Sequence, residues 1–279
     1  MTGLDDRILP ATRVLAGVIV PFLIVASVLL YVFPTRTDDL FAWTVAPPIS
    51  AMFLACAYIG GIWFFSRVLT LRAWHRVKYG FPAVVVFASL ASGATFLHWD
   101  RFHFGHISFI TWVILYVTTP VLALAATVLN WRRDPRVSEG RDFDVPPLAR
   151  IVLVGLGGLA LVCGVVLFAV PTLLIGNWAW DLTPLTARIV GAILTLPGMV
   201  NVWMLIDARW TAFRWVFQAQ IVSLAFIIGA LVLARADLDW SRPAAPALVV
   251  GLAGSLLAYI AFYFSCERGL RGRGEPRSG

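Results

Sequence analysis

The chain has 279 residues, of which 60% are hydrophobic and only 13% are charged, and its mean hydropathy is +0.85. A soluble domain carries about 25% charged residues, so this composition excludes an ordinary soluble domain and favours a protein that has the bilayer as its solvent. The formal charge of +7 does not predict a nucleic-acid partner, because the basic residues recur in alternate loops and not on one surface.

Apolar segments long enough to cross a membrane alternate with short polar segments along the chain. Only helices or closed barrels satisfy the backbone in lipid, and these runs are too long and too uniformly apolar for barrel strands. The sequence therefore predicts an all-α polytopic membrane helix bundle with eight transmembrane helices. The predicted spans are residues 14–33, 48–66, 81–97, 107–130, 150–171, 188–206, 214–234 and 245–265.

Basic residues are concentrated in every second polar segment. The N-terminus and the second, fourth, sixth and C-terminal polar segments contain 17 of the 22 Lys and Arg residues. The positive-inside rule then predicts that both termini are cytoplasmic, here in a plasma membrane. Tryptophans fall at both predicted boundaries, as interfacial belts do. The outer set is Trp43, Trp99, Trp178, Trp180 and Trp240, and the inner set is Trp74, Trp131, Trp210 and Trp215.

The chain repeats itself, without a gap, at an offset of 137 residues. This register pairs Pro34 with Pro171, Trp43 with Trp180, Pro47 with Pro184, Arg72 with Arg209 and Asp100 with Asp237. Four spans in each half give both halves one orientation, so the sequence predicts two parallel four-helix repeats. The predicted organisation is a first repeat at residues 1–131, a cytoplasmic linker at 132–149, a second repeat at 150–266 and a basic cytoplasmic tail at 267–279. In each half, the first proline is expected to end the first span and the second to begin the next.

Two outer-loop motifs carry a resemblance to other proteins. The pattern FAW…PP at residues 41–48, followed by LHWDRFHF at residues 97–104, resembles a group of uncharacterised bacterial multi-pass membrane proteins. The resemblance covers mainly the first half and its echo in the second. It implies a multi-pass fold and a membrane location, and it implies no activity.

Three of the four histidines lie in the segment FLHWDRFHFGH at residues 96–106. If the third helix continues outward, Asp100, His103 and His106 lie near one helix face, with His98 nearby. Imidazole and carboxylate groups suit a transition metal, so a metal or haem site at His98, His103 and His106 is one hypothesis. Binding of a proton or small ligand is a second. In the third, the histidines form a polar rim in which Asp100 and Arg101 pair.

The interiors of the predicted spans contain no Asp, Glu, Lys, Arg or His near their middles. Ion-coupled transporters usually carry such a group, and haem bundles need axial ligands there. Asn201, Gln218 and Gln220 are the strongest interior polar residues, and we expect them to form hydrogen bonds between helices. The common phosphate-loop, metalloprotease and serine-hydrolase signatures are absent.

These observations predict an integral membrane protein that binds or translocates a small, uncharged or weakly polar molecule. The predicted site is an outer-face cavity between the two repeats, and its candidate residues are Trp43, Trp180, Asp100, Asp237 and Arg101. The alternatives are a metal- or haem-binding redox protein that uses the histidines, and an accessory subunit of a membrane complex. We expect a non-enzymatic function without a cofactor. The expected partners are the lipid bilayer and either another membrane protein or a second copy of the chain.

Overall fold

The structure is a computed structural model that describes residues 5–137 and 142–272. Arg141, Arg273 and Arg277, which the sequence predicts to be cytoplasmic, lie outside these ranges. Within them, eight helices are long and apolar enough to cross a membrane, and no strand is present. The chain is therefore an all-helical, multi-pass integral membrane protein. Its long helices are α1 Pro10–Val32, α2 Pro48–Thr70, α3 Gly80–Leu97, α4 Ile107–Trp131, α5 Pro147–Ala169, α6 Pro184–Asn201, α7 Trp210–Leu233 and α8 Ala244–Gly272.

Prolines set several helix boundaries. α1 and α5 end just before Pro34 and Pro171, because the residue before a proline is disfavoured in helical geometry. Pro184 begins α6 as predicted, whereas Pro48, and not Pro47, begins α2. Proline suits this first position, where its missing N–H would have no partner inside the helix. Most helices extend a few residues beyond the predicted spans, because their polar ends continue the helix past the apolar stretch.

The helices differ sharply in how much protein covers them. In the most apolar window of each helix, 72% of α2 and 67% of α6 is buried, compared with 22% of α5 and 6% of α8. α2 and α6 are therefore central, and exposed Val, Leu and Ile side chains on the peripheral helices face the bilayer. Such apolar surface fits contact with lipid chains.

The loops lie at two ends of the bundle, which differ in the residues they contain. The terminal end contains both termini, residues 71–79, residues 132–146 and residues 202–209. The histidine end contains residues 33–47, 98–106, 170–183 and 234–243. This alternation follows from antiparallel neighbours in sequence and agrees with hydrogen bonds such as Leu9 N to Asn130 Oδ1 and Asp239 N to Ala179 O.

Helix contacts in the first half recur in the second. α1 packs on α2 and α3 on α4, just as α5 packs on α6 and α7 on α8. Across the halves, α2 packs on α7 and α3 packs on α6. The backbone hydrogen bond from Ile8 N to Arg72 O, 2.8 Å, likewise has a counterpart from Val145 N to Ala208 O, 2.8 Å.

These hydrogen bonds correct the ungapped register. Ile8 and Val145 are 137 residues apart, but Arg72 and Ala208 are 136 apart. The short helical turns Trp99–Arg101 and Arg235–Asp237 also differ by 136. The second half is thus one residue shorter between its second and third long helices. Asp237 corresponds to Arg101 rather than to Asp100, and Arg209 corresponds to Ala73 rather than to Arg72.

Candidate functional site

The three histidines at the histidine end bind three different partners. His98 Nε2 is 2.7 Å from Arg188 Nη1, on α6. His103 Nδ1 lies 3.0 Å from Phe41 O and its Nε2 lies 3.1 Å from Thr44 Oγ1. His106 Nδ1 accepts hydrogen bonds from the backbone and hydroxyl of Ser108 and so caps α4.

These partners make the histidines structural in the described conformation. His98 accepts a hydrogen bond from a cation, and partial burial together with the charge of Arg188 lowers the pKa of its imidazole. Across residues 5–137 and 142–272, no group of three or more His, Cys, Asp and Glu side chains is arranged to hold a metal ion. The metal hypothesis therefore has no geometric support from His98, His103 and His106.

The prediction that α3 continues through the histidines is wrong. α3 ends at Leu97, a single helical turn covers Trp99–Arg101, and the chain then reverses at Gly105, whose φ is +81°. The reversal follows from the burial of Phe102, whose ring lies 5.2 Å from that of Trp43. A continued helix would carry that apolar ring away from the aromatic cluster.

The predicted acidic residues also lie apart. Asp100 and Arg101 form an ion pair of 3.2 Å, but both side chains are more than 70% exposed. Asp237 Oδ2 instead accepts a hydrogen bond of 2.9 Å from Ile49 N and caps α2 from the opposite half. None of Asp100, Asp237 and Arg101 lines a cavity between the halves.

Most of the tryptophans assigned to membrane belts are packed inside the protein. Trp43 lies in an aromatic cluster with Trp112, at a ring distance of 4.7 Å. Trp180 donates a hydrogen bond of 2.8 Å to Ser50 Oγ. Trp74, Trp178 and Trp210 are buried as well, whereas Trp99 and Trp240 are exposed at the histidine end. Trp43 and Trp180 therefore brace the bundle between its halves and do not form an open outer site.

A cavity of about 260 Å³ lies instead in the middle of the bundle, and we call it the central cavity. All eight long helices contribute to its lining, which is almost entirely apolar. Ligand pockets in proteins begin near 300 Å³ and are mostly hydrophobic, so the central cavity is close to the smallest of them. It lies deeper than the predicted outer site and contains none of that site's five residues.

Corresponding residues of the two halves line the central cavity together. At the offset of 137, Ile19 pairs with Leu156 and Leu23 with Ala160. At the offset of 136, the pairs include Ala83 with Ala219, Val84 with Gln220, Phe87 with Ser223, Tyr116 with Leu252 and Thr119 with Ser255. The cavity therefore lies between the halves and is lined by equivalent positions on both sides, although the chemistry of the paired residues differs.

The polar groups of the central cavity are few, and most of them are paired. The hydroxyls of Tyr58 and Tyr116 are 2.8 Å apart, and Ser223 Oγ donates to Cys56 O at 2.9 Å. Gln220 is different: its amide nitrogen and oxygen are both buried, and neither has a hydrogen-bond partner among the described residues. The expected interhelical hydrogen bonds are present for Asn201 and Gln218 but not for Gln220.

Aromatic side chains close the cavity toward both ends of the bundle. Toward the histidine end, Tyr116 of the lining packs on Trp112 at a ring distance of 4.1 Å. Toward the terminal end, Tyr79 stacks on Phe213 at 4.8 Å and on Trp203 at 5.4 Å. The next residue after Tyr79 is Gly80, which lines the cavity. The described conformation is therefore closed to water along the bundle axis.

A network of buried charges lies at the terminal end, beneath Tyr79. Arg209 donates to Asp134 at 2.7 Å and to Asp207 at 2.6 Å, and Lys78 Nζ lies 3.3 Å from Asp134 Oδ2. The Tyr79 hydroxyl donates to Asp207 at 2.7 Å. Two cations thus balance two anions, and we call Lys78, Asp134, Asp207 and Arg209 the charge network. It joins the loop before α3 and the segment after α4 to the loop between α6 and α7.

The environment of the charge network determines its protonation. Burial raises the pKa of both carboxyl groups, but hydrogen bonds from Arg209 outweigh it and hold the pKa of Asp134 and Asp207 below the usual range. Burial also lowers the pKa of Lys78, and the charge of Asp134 opposes that shift. The two carboxylates therefore stay ionised at neutral pH.

Neither the central cavity nor the charge network was predicted from the sequence. Lys78 and Arg209 were counted as topology signals, and the only hint of pairing was the presence of Asp134 and Asp207 in otherwise basic segments. The cavity had one sequence signal, the polar Gln220 in an apolar span. No protein-family model, curated protein or solved structure matches the chain.

Proposed function

We propose that this integral membrane protein binds a small, neutral and mainly apolar molecule in the central cavity. The observation that carries the proposal is a mostly apolar space of about 260 Å³ that all eight helices line. Close packing is the rule in protein interiors, so a space of this size in the middle of a bundle is a candidate binding site. An engineered apolar cavity of about 150 Å³ holds benzene, which scales to about ten non-hydrogen atoms here.

We further propose that the halves are parallel repeats related by a pseudo-twofold axis along the membrane normal. The recurring helix contacts, the recurring loop hydrogen bonds and the corresponding residues around the cavity support this arrangement. In transporters built from repeats, substrate sites lie near the bilayer midplane at the repeat interface. The central cavity has the equivalent position.

The placement in the plasma membrane, with the terminal end in the cytoplasm, rests on the distribution of Lys and Arg. Membership of the resembling group of bacterial membrane proteins rests on the two outer-loop motifs. Translocation requires the aromatic layers on both sides of the cavity to open, and it remains a prediction, as does the role of an accessory subunit.

A cavity-filling substitution tests the binding proposal. Ala57 lines the cavity and keeps some exposure on the otherwise buried α2, so Ala57→Phe should fill the space there. The probe is a hydrocarbon of about ten non-hydrogen atoms with a photoactivatable diazirine, matched to the cavity volume. It is added to the full-length protein in nanodiscs, and the labelled peptides are identified by mass spectrometry.

Wild-type protein should be labelled at cavity-lining residues such as Leu115 and Tyr116 as well as on outward residues of α4. Ala57→Phe should lose the cavity labelling and keep the outward labelling. Ala125→Phe, a substitution of the same size at an exposed position on α4, is the matched control and should keep both. Labelling confined to outward residues in the wild type would contradict the proposal.

A further inference from the structure

Gln220 is the one side chain of the central cavity whose polar atoms are left without a partner in the described residues. Both Nε2 and Oε1 are shielded from solvent and accept or donate no hydrogen bond there. Gln218, one turn-fraction away on the same helix, shows the usual solution. Its Oε1 accepts from Trp63 and its Nε2 donates to the Tyr263 hydroxyl. The contrast between the two glutamines is therefore a property of the cavity and not of α7.

A buried amide without partners is unfavourable, and native proteins rarely leave both of its polar atoms unpaired. The corresponding position in the first half is Val84, which also lines the cavity and carries no polar group. The bundle thus tolerates an apolar side chain at this level, and helix packing alone does not require glutamine at position 220.

We infer that Gln220 recognises a polar group of the bound molecule, and that the ligand is a neutral, mainly apolar compound with one amide or hydroxyl group. An amide side chain both donates and accepts, so its best complement is a group that does the same. A charged group is disfavoured, because the lining near Gln220 offers no opposite charge and an unpaired ion in an apolar interior is costly.

The difference between the halves also gives the ligand a direction. Gln220 faces Val84 across equivalent positions, so only one of the two half-sites offers an amide. The molecule would bind with its polar end toward α7 and its apolar part toward the aliphatic and aromatic lining of the first half. This inference rests on the proposed function, since it needs the central cavity to hold a ligand.

Two matched photoactivatable probes test it. One is the hydrocarbon diazirine, and the other carries a primary amide in place of its terminal methyl group. Gln220→Leu removes the amide with little change in volume and should fold, because it replaces unpaired polar atoms with apolar ones. Gln218→Leu is the matched control, since it removes a paired glutamine outside the cavity lining.

Within each variant, cavity labelling by the amide probe is divided by cavity labelling by the hydrocarbon probe, which cancels differences in protein amount. This ratio should fall about tenfold in Gln220→Leu relative to wild type, equivalent to about 1.4 kcal/mol. It should stay unchanged in Gln218→Leu. An equal ratio in wild type and Gln220→Leu, with the hydrocarbon probe still in the cavity, would overturn the inference alone. Failure of both probes to label the cavity would overturn the proposed function.

Discussion

At the scale of single residues, Arg209 has the most demanding position in the molecule. Its guanidinium binds two carboxylates, Asp134 and Asp207, and its side chain is only 7% exposed. Removing one partner of a buried charge cluster strands the others, which typically costs about 3–5 kcal/mol. The exposed pair of Asp100 and Arg101 has similar chemistry but remains in water, where such pairs contribute about 0–1 kcal/mol.

We therefore expect Arg209→Met to lower the stability of the purified protein strongly and Arg101→Met to leave it nearly unchanged. The measurement is the fraction that stays monodisperse after heating in detergent, followed by size-exclusion chromatography. Similar losses in the two variants would show that the charge network contributes no more than a surface pair.

The contribution of the network should also depend on pH in one direction. The pKa of Asp134 and of Asp207 is lower in the folded protein than the ordinary aspartate value of about 3.9. Their stabilising contribution is thus complete above that value and is lost only as the pH falls toward the lower folded pKa. The difference between wild type and Arg209→Met should accordingly be constant near neutral pH and shrink in strong acid.

At the scale of helices, the closest contact joins α5 and α6. A Cβ atom on Gly164 would lie 2.5 Å from the backbone oxygen of Gly191, and one on Gly198 would lie 2.5 Å from Gly157 O. Small residues of this kind let helices approach closely in a membrane, where lipid chains provide no hydrophobic drive for helix association. The equivalent contact of α1 with α2 is looser, because Leu23 fills the space beside Gly61.

Gly164→Ala should separate α5 from α6 and destabilise the fold by about 1–3 kcal/mol, the usual cost of overpacking. Gly158→Ala is the control on the same helix, since a Cβ there meets no atom within 4 Å. That substitution should be neutral or slightly stabilising, because alanine is the better helix former. Thermal unfolding of the two variants measures the difference, and equal effects would mean that the close contact is dispensable.

At the scale of the whole molecule, the two ends of the bundle differ in charge and should face different compartments. Ser241 lies exposed at the histidine end and Val137 at the terminal end, whereas Cys56 and Cys266 are buried. A membrane-impermeant maleimide should label Ser241→Cys in intact cells and Val137→Cys only after permeabilisation. The background is set by the wild type, in which Cys163 is partly exposed. The reverse pattern would invert the proposed topology.

Much of the fold could be predicted because helix position in a membrane is a local property. Eight apolar runs predicted the eight long helices, and prolines such as Pro34 and Pro184 marked helix ends within a residue or two. The repeat register was right for the first two helices of each half. It failed beyond them, because a one-residue difference between the halves is invisible to an ungapped comparison of apolar segments.

The predicted site was wrong for a different reason. His98, His103 and His106 are close in sequence, but a buried Phe102 and a reversal at Gly105 send their side chains to separate partners. Composition and span length by themselves determined that this chain is a helical, multi-pass membrane protein. Only the tertiary structure decided where the central cavity lies and which charges pair, because both depend on which faces of distant helices meet. Gln220 shows the difference: its sequence position predicts a paired amide, and the packing around it leaves that amide available to a ligand.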